Sequence, residues 1–257
     1  MKDPESWQPS KFVQARGRLM GSRDPKQVAI SSRLVTDLTA RWYEMHIAQH
    51  ARGRLLDLGC GKIPLFAAYR NFVSENVCVD WGNSLHRNSH LDIECDLTQP
   101  LPFADGEFDT IILSDVLEHI PEPQQLWREM ARVLSSRGRI LMNVPFFYWL
   151  HEQPHDYYRY TAHALERFAT MADLRISHLS AIGGAPEVIA DILAKNLVHL
   201  PLVGRPLALI TQAMTRFFVN TAVGRRISAR TSRQFPLAYA LVAEKGATAP
   251  VIRVTSS

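Results

Sequence analysis

Arg54-Leu-Leu-Asp-Leu-Gly-Cys-Gly-Lys-Ile-Pro64 restricts the fold of this chain more than any other stretch. An apolar run, Leu55, Leu56 and Leu58, passes directly into Gly59 and Gly61, and Pro64 opens the next segment. That order predicts a buried parallel strand, a tight glycine turn and the start of a helix. Glycines let backbone approach a ligand closely, and the free N–H groups of a helix start favour an anionic group. The next strand-like run, Val77-Cys-Val-Asp80, ends in a carboxylate at the spacing that suits the two hydroxyls of a ribose. The pattern points to a cofactor containing a nucleoside.

The dinucleotide fingerprint requires a third glycine for close helix–strand packing. Here Gly59-Cys-Gly61-Lys-Ile-Pro64 carries a proline instead, which argues against a nicotinamide or flavin and for a cofactor with a carboxylate in place of a pyrophosphate. Further along come Ile93-Glu-Cys-Asp96-Leu97, a turn-rich stretch over 98–106, and Phe108-Asp-Thr-Ile-Ile-Leu-Ser-Asp-Val-Leu-Glu-His-Ile120. An amphipathic segment over 128–134 follows, stopped at Ser135-Ser-Arg-Gly138, and then a strand, Arg139-Ile-Leu-Met-Asn-Val-Pro145. Strand-like and helix-like segments alternate, as in a parallel sheet covered on both faces. In order and spacing these motifs resemble the class I S-adenosylmethionine-dependent methyltransferases, in particular the type 11 methyltransferase domain family.

The resemblance implies an α/β fold: a doubly wound, seven-stranded, mostly parallel Rossmann-like sheet. Its last strand, here within Phe235 to Ala243, is antiparallel and inserted beside the fifth, and a sixth strand is expected over 174–180. S-adenosylmethionine is then the expected cofactor. Asp57, Gly59, Cys60 and Gly61 would lie against its methionine part, and Asp80 would take the ribose hydroxyls. Trp81 would stack near the adenine, with a plain core aromatic as the alternative. Asp96 and the Leu97 backbone would read the adenine edge, with a loop-capping aspartate as the alternative. Ser114 and Asp115 would form the floor near the sulfonium.

The chain divides into a polar, loosely ordered segment over 1–26, a methyltransferase domain over 27–245 and a tail over 246–257. Trp7 and Phe12 are expected to clip the first segment onto the body. A helix is expected between Lys26 and Gln49, with Val35, Leu38, Trp42 and Met45 on its apolar face. Between the two late strands, about 181–234, lies a helical insert. Its apolar positions (Val188, Ile189, Ile192, Leu193, Leu197 and Leu200, then Leu207, Ile210, Met214, Phe217 and Phe218) predict two amphipathic helices. Stripes at this spacing usually face protein, as a cap on the sheet edge or a dimer contact. The basic residues around them (Lys195, Arg205, Arg216, Arg225, Arg226, Arg230, Arg233) suggest the alternative of a surface resting on an anionic membrane.

Composition excludes several classes. With 257 residues and 46% hydrophobic content the chain can bury a sizeable core. A net charge of +4 without a long basic run gives little support for nucleic acid. The amino-methyltransferases of DNA carry an Asn/Asp/Ser-Pro-Pro-Tyr/Phe box where this chain reads Ser114-Asp115-Val116-Leu117, and Asn143-Val-Pro-Phe146 sits one strand later without the second proline. Cys60, Cys78 and Cys95 have no metal spacing and fit reduced thiols in a cytoplasmic protein. The first residues lack the apolar core of a signal peptide, and no apolar run reaches the ~20 residues of a membrane span.

The acceptor side is concentrated in Pro145-Phe-Phe-Tyr-Trp-Leu-His-Glu-Gln-Pro-His-Asp-Tyr-Tyr-Arg-Tyr-Thr161, at the carboxyl end of the fifth strand where open sheets bind ligands. His151-Glu-Gln-Pro-His155 matches the letters of the zinc-protease His-Glu-x-x-His motif. Pro154 would break the helix that motif needs, so the match is rejected and no metal site is assigned. The stretch resembles instead a His-Asp-Tyr-Tyr-Arg-Tyr-Thr loop of some type 11 methyltransferases. His151, His155 or Asp156 is then the candidate general base, and Tyr157, Tyr158 and Arg159 the candidate acceptor-binding residues. A structural loop is the alternative, with His155 or Asp156 capping a helix near Thr161 and Arg159 paired with Asp115 or Glu118. His119 is read as a support for this loop.

The leading expectation is methyl transfer to a small-molecule or glycan- or lipid-linked acceptor, at oxygen. The alternatives are a non-catalytic cofactor-binding or membrane-associated scaffold, and an NAD-dependent oxidoreductase. Oligomeric state is not legible in the sequence.

Overall fold

The computed structural model describes residues 1–82, 89–245 and 254–256. An antiparallel hairpin, β1 (Phe12–Ala15) and β2 (Arg18–Gly21), precedes helix α1 (Arg33–His50). The winding then runs β3 (Arg54–Leu58), α2 (Phe66–Tyr69), β4 (Glu75–Asp80), β5 (Ile93–Glu94) and β6 (Phe108–Ser114). A 3-10 turn over Leu117–His119 leads to α3 (Pro123–Val133), β7 (Leu134–Pro145), α4 (Ala162–Met171) and β8 (Leu174–Ile182). Three helices come next, α5 (Ala185–Leu197), α6 (Gly204–Val219) and α7 (Ala222–Thr231), and then β9 (Ala238–Lys245) and β10 (Val254–Ser256).

The main sheet has the order β10-β8-β9-β7-β6-β3-β4-β5. Strands β5, β4, β3, β6 and β7 are mutually parallel, and β9 runs antiparallel between β7 and β8. This is the expected seven-stranded sheet, with β10 added in parallel at the β8 edge. Alternation along the strands sorts the core into two layers. Leu56, Leu58, Ile111, Leu113, Ile140 and Met142 pack on one face with Trp127 and Met130 of α3 and Leu165 of α4. Leu55, Ile112 and Leu141 face the other way, with Trp42, Tyr43 and Ile47 of α1, Tyr69 of α2 and Phe12 of the hairpin.

Four local expectations are corrected. Residues 1–26 are not loosely ordered beyond their two clips: Phe12 is buried and the Trp7 indole N–H donates to the Ile63 carbonyl as expected, but residues 12–21 also form the hairpin, with Leu19 buried. On α1 the buried face is Leu34, Thr36, Thr39, Ala40, Trp42, Tyr43, His46 and Ile47, whereas Met45 is exposed. Tertiary partners, the hairpin and β7, select that face. Residues 135–138 do not stop the chain before a later strand. They bulge inside β7, whose pairing with β6 jumps from Phe108–Leu134 to Thr110–Arg139. Finally, the insert holds three helices, and most of its predicted apolar stripe faces out: Ile189 is 64% exposed, Met214 67% and Phe217 75%. Apart from Val188 of that stripe, the residues it buries are small or polar, including Ala190, Asp191, Ala194, Lys195, Ala208 and Gln212. The tail over 246–253 lies outside the described residues.

Candidate active site

The carboxyl ends of β3, β4, β6 and β7 open into one cleft of about 670 Å³. The glycine turn forms its floor on one side. Gly59 and Cys60 N–H groups both donate to the Val79 carbonyl, at 2.8 and 3.0 Å, which binds the turn to the end of β4. Gly59 takes φ +65°, and a Cβ there would lie 2.5 Å from Cγ2 of Val116, so a side chain is refused twice over. Gly61, at φ +48°, donates its N–H to Oδ2 of Asp80 at 3.0 Å. The expected helix is a single turn that begins at Phe66, too short to offer a strong positive end to an anion. Binding on this side rests on the turn and on Asp80.

Asp80 is buried at the end of β4, and its Oδ1 accepts from the Trp81 N–H at 2.9 Å. These two backbone bonds orient the carboxylate on the wall of the cleft, at the strand end where a ribose diol is commonly held. Trp81 is exposed into the cleft and meets the His155 ring edge-on at 5.1 Å, which rules out the core-aromatic alternative. Asp96 lines the cleft while its Oδ1 also accepts from the Thr98 N–H and hydroxyl, at 2.9 and 2.8 Å. Capping and lining therefore coexist. Cys60, Leu97 and Ser114 line the cleft as well.

Asp57 does not. It lies behind the turn, its Oδ2 accepting from the Tyr69 hydroxyl at 3.2 Å. Burial lifts this carboxyl to about 7, with the charge of Asp80 adding to the effect against the Tyr69 hydrogen bond.

At the ends of β6 and β7 sits a polar network that the sequence did not announce. The Asn143 side-chain oxygen accepts from the Tyr43 hydroxyl at 2.7 Å and the Ser114 hydroxyl at 2.9 Å, and its amide donates to Asp115 at 2.5 Å. Both acceptor sites of that amide oxygen are used, so it has none left for a further donor. Asp115 takes φ +53° and receives the Lys11 ammonium on its other oxygen at 2.5 Å. Lys11, from the hairpin, lines the cleft together with Ser10. A lone lysine in a polar leader carries no sequence signal of this role.

The loop over 146–161 divides its candidates. His155 and Tyr157 line the cleft, with His155 Nδ1 at 3.2 Å from the Tyr157 hydroxyl. Asp156, Tyr158 and Arg159 turn away. Arg159 forks onto Asp156 at 2.6 and 2.8 Å and donates to the Trp149 carbonyl, so its partner is neither Asp115 nor Glu118. Burial works against the Asp156 charge, yet this fork holds its carboxyl at about 2. Tyr158 donates to the Pro121 carbonyl. Thr161, not His155 or Asp156, caps α4 by accepting from the Ala164 N–H. Residues 151–155 are not helical, and the two histidines diverge: His151 meets His119 and Tyr148, while His155 meets Trp81.

His119 supports the loop as expected, its Nδ1 lying 2.6 Å from the His155 carbonyl. Beside it, Glu118 is fully buried, and burial followed by the Asp115 charge pushes its carboxyl well above the usual range.

The Methyltransf_11 family model, a methyltransferase domain, matches residues 56–142. An uncharacterized methyltransferase of Mycobacterium sp. (strain JLS) is 37% identical over 73 residues, 26% of this chain and 28% of that protein. The chain thus matches less than half the length of its curated relatives. Among solved structures, the geranyl diphosphate C-methyltransferase of Streptomyces coelicolor A3(2), described with Mg2+, geranyl diphosphate and S-adenosyl-L-homocysteine, superposes with a TM-score of 0.52. It is 13% identical and aligned over 87% of this chain and 85% of its own. The cyclase SpnF superposes at 0.53 with 15% identity, over 93% of this chain and 88% of its own. At such identities the likeness establishes the fold, and the cyclase illustrates that this fold hosts more than one chemistry.

Proposed function

From the class I, type 11 S-adenosylmethionine-dependent methyltransferase domain that this chain carries, we propose an enzyme that methylates a hydroxyl of a small-molecule or glycan- or lipid-linked acceptor. The observation that carries this reading is the single cleft shared by Asp80, Asp96 and Trp81 on one wall and His155 and Tyr157 on the other. When bound, S-adenosylmethionine supplies an electrophilic methyl group, so the work left to the protein is alignment and proton removal. In this reading Asp80 takes the ribose hydroxyls, Trp81 and Leu97 flank the adenine, and Asp96 reads its edge. Gly59 and Gly61 keep backbone close to the methionine part, and Ser114 lies under the reacting centre.

His155 is the general base. Its imidazole accepts the hydroxyl proton as the new oxygen–carbon bond forms, and Tyr157 steadies the ring through Nδ1. Lys11 contributes positive charge beside the developing oxyanion. His151 and Asp156 drop out of this role because neither lines the cleft.

A carrier-linked acceptor is favoured by the exposed apolar and basic residues of α6 and α7, among them Met214, Phe217, Arg225 and Arg226. No helix among the described residues is long and apolar enough to cross a membrane, so contact with a bilayer would be peripheral. The three free cysteines suit a cytoplasmic setting.

Calorimetry tests the core of the reading. The protein should bind S-adenosylmethionine and not NAD, and Asp80→Ala should weaken binding more than about tenfold, or about 1.4 kcal/mol. Binding of NAD alone would overturn the proposal. Unchanged affinity of the variant would remove Asp80 from it.

A further inference from the structure

Next to the cleft, three side chains converge in a way that the methyl-transfer reading does not use. Glu118 is fully buried, and neither carboxylate oxygen has a hydrogen-bond partner among the described residues. Buried carboxylates are ordinarily paired, because leaving one without a donor or cation costs several kcal/mol. Here two imidazole nitrogens approach instead. Nε2 of His119 and Nε2 of His151 each lie 3.8 Å from Oε1 of Glu118. That is too long for a hydrogen bond. It is a few tenths of an ångström more than the ~3.4 Å that separates ligand atoms around a tetrahedral ion with bonds of about 2.1 Å.

The opposite edges of both rings are already committed. His119 Nδ1 faces the His155 carbonyl at 2.6 Å, and a carbonyl can only accept, so the proton of this ring is on Nδ1. His151 Nδ1 faces Oδ2 of Asp156 at 3.3 Å, nearer than the Arg159 guanidinium at 3.5 Å. Asp156, ionised in its fork with Arg159, accepts from the His151 backbone N–H at 2.9 Å. In the neutral His119 ring Nε2 is then unprotonated with its lone pair turned toward the Glu118 carboxylate, and His151 Nε2 lies at the same 3.8 Å from Oε1. Carboxylate–histidine and carbonyl–histidine pairs of this kind are what orient metal-ligating imidazoles.

We propose that Glu118, His119 and His151 form a site for one divalent transition-metal ion, between the 3-10 turn after β6 and the loop after β7. All three ligand atoms lie within 4.8 Å of one another. Two imidazole nitrogens and one carboxylate oxygen select zinc, cobalt or iron over magnesium or calcium. His119 and Glu152 line the cleft, and Glu152 lies 3.9 Å from His119 Nε2, so the ion would have an open side toward the acceptor. This departs from the sequence, whose only metal-like motif pairs His151 with His155. The site uses His151 with two residues from the far side of α3 and β7.

The test needs no methyl transfer, so its outcome is separate from that of the methyltransferase reading. The full chain, stripped with a chelator, is titrated with Zn2+ and with Co2+. One equivalent should bind, and the Co2+ form should show the visible absorption of a four- or five-coordinate nitrogen/oxygen site without thiolate charge transfer. Glu118→Gln and His151→Ala should each weaken Zn2+ binding at least tenfold and abolish the rise in melting temperature that Zn2+ gives the wild type. Should a variant fold poorly, anomalous scattering at the zinc edge from wild-type crystals locates the ion directly. Absence of stoichiometric binding, an ion found elsewhere, or binding that survives both substitutions would overturn the proposal.

Discussion

At the scale of single residues, Asp57 and Asp80 are the clearest contrast. Both end or nearly end a parallel strand and both are buried, yet only Asp80 reaches the cleft. Asp57 is the residue whose charge the fold resists. Because its carboxyl is raised from the ordinary 3.8 to about 7, the folded state holds its proton where the unfolded chain has released it. Its contribution to stability is therefore complete below pH 4 or so and is lost as the pH rises through 7. Asp57→Asn should flatten this part of the stability–pH curve, which in the wild type falls by up to about 1.4 kcal/mol per pH unit. Urea denaturation of both proteins from pH 5 to pH 8 reads the difference, and parallel curves would mean that Asp57 is ionised in the native state. The sequence could show that an acid stands at each of these positions. It could not show which one the helix after the turn would cover, because that depends on Tyr69 and on the rotation of a four-residue helix.

Among the elements, β3, β4, β6 and the second half of β7 are legible because each is a largely apolar run closed by glycine, proline or an acid. The hairpin is not. Its alternation is interrupted by charges, and its buried Phe12 and Leu19 gain partners only once α1 is in position. For the insert, periodicity yields the right apolar positions and the wrong orientation, since a helical stripe does not say which medium it meets. What fastens the insert is polar. Gln212, buried on α6, accepts from the Leu34 N–H at 2.9 Å and donates to the Ile30 carbonyl at 2.6 Å, closing the start of α1. Gln212→Ala leaves both backbone groups unpaired and should cost roughly 2–3 kcal/mol. Chemical denaturation measures the loss, and amide exchange should show α6 loosening before the sheet. An unchanged stability would mean that the insert is held elsewhere. The acceptor loop is legible in composition alone. Its histidines are evident in the sequence, but their directions are set by the Arg159–Asp156 fork, which points His151 and His155 opposite ways.

For the whole molecule, the outward apolar face of the insert has a measurable consequence. Met214 and Phe217 protrude from α6, and Arg225 and Arg226 of α7 are exposed as well. Vesicles containing phosphatidylglycerol should carry the wild type down on sedimentation. Arg225→Glu with Arg226→Glu should reduce that binding tenfold or more, since each basic residue near an anionic surface contributes about 1 kcal/mol. Equal pelleting of the two proteins would remove the membrane from the account. The sheet order adds a constraint of another kind. Strand β9 lies between β7 and β8, yet it is synthesised after both and after the three helices of the insert. Until its residues leave the ribosome, the sheet has a slot one strand wide, lined by the unpaired edges of two finished neighbours. A chain cut before Ala238 is therefore not a smaller protein but an open-edged one, prone to recruit strands from other molecules.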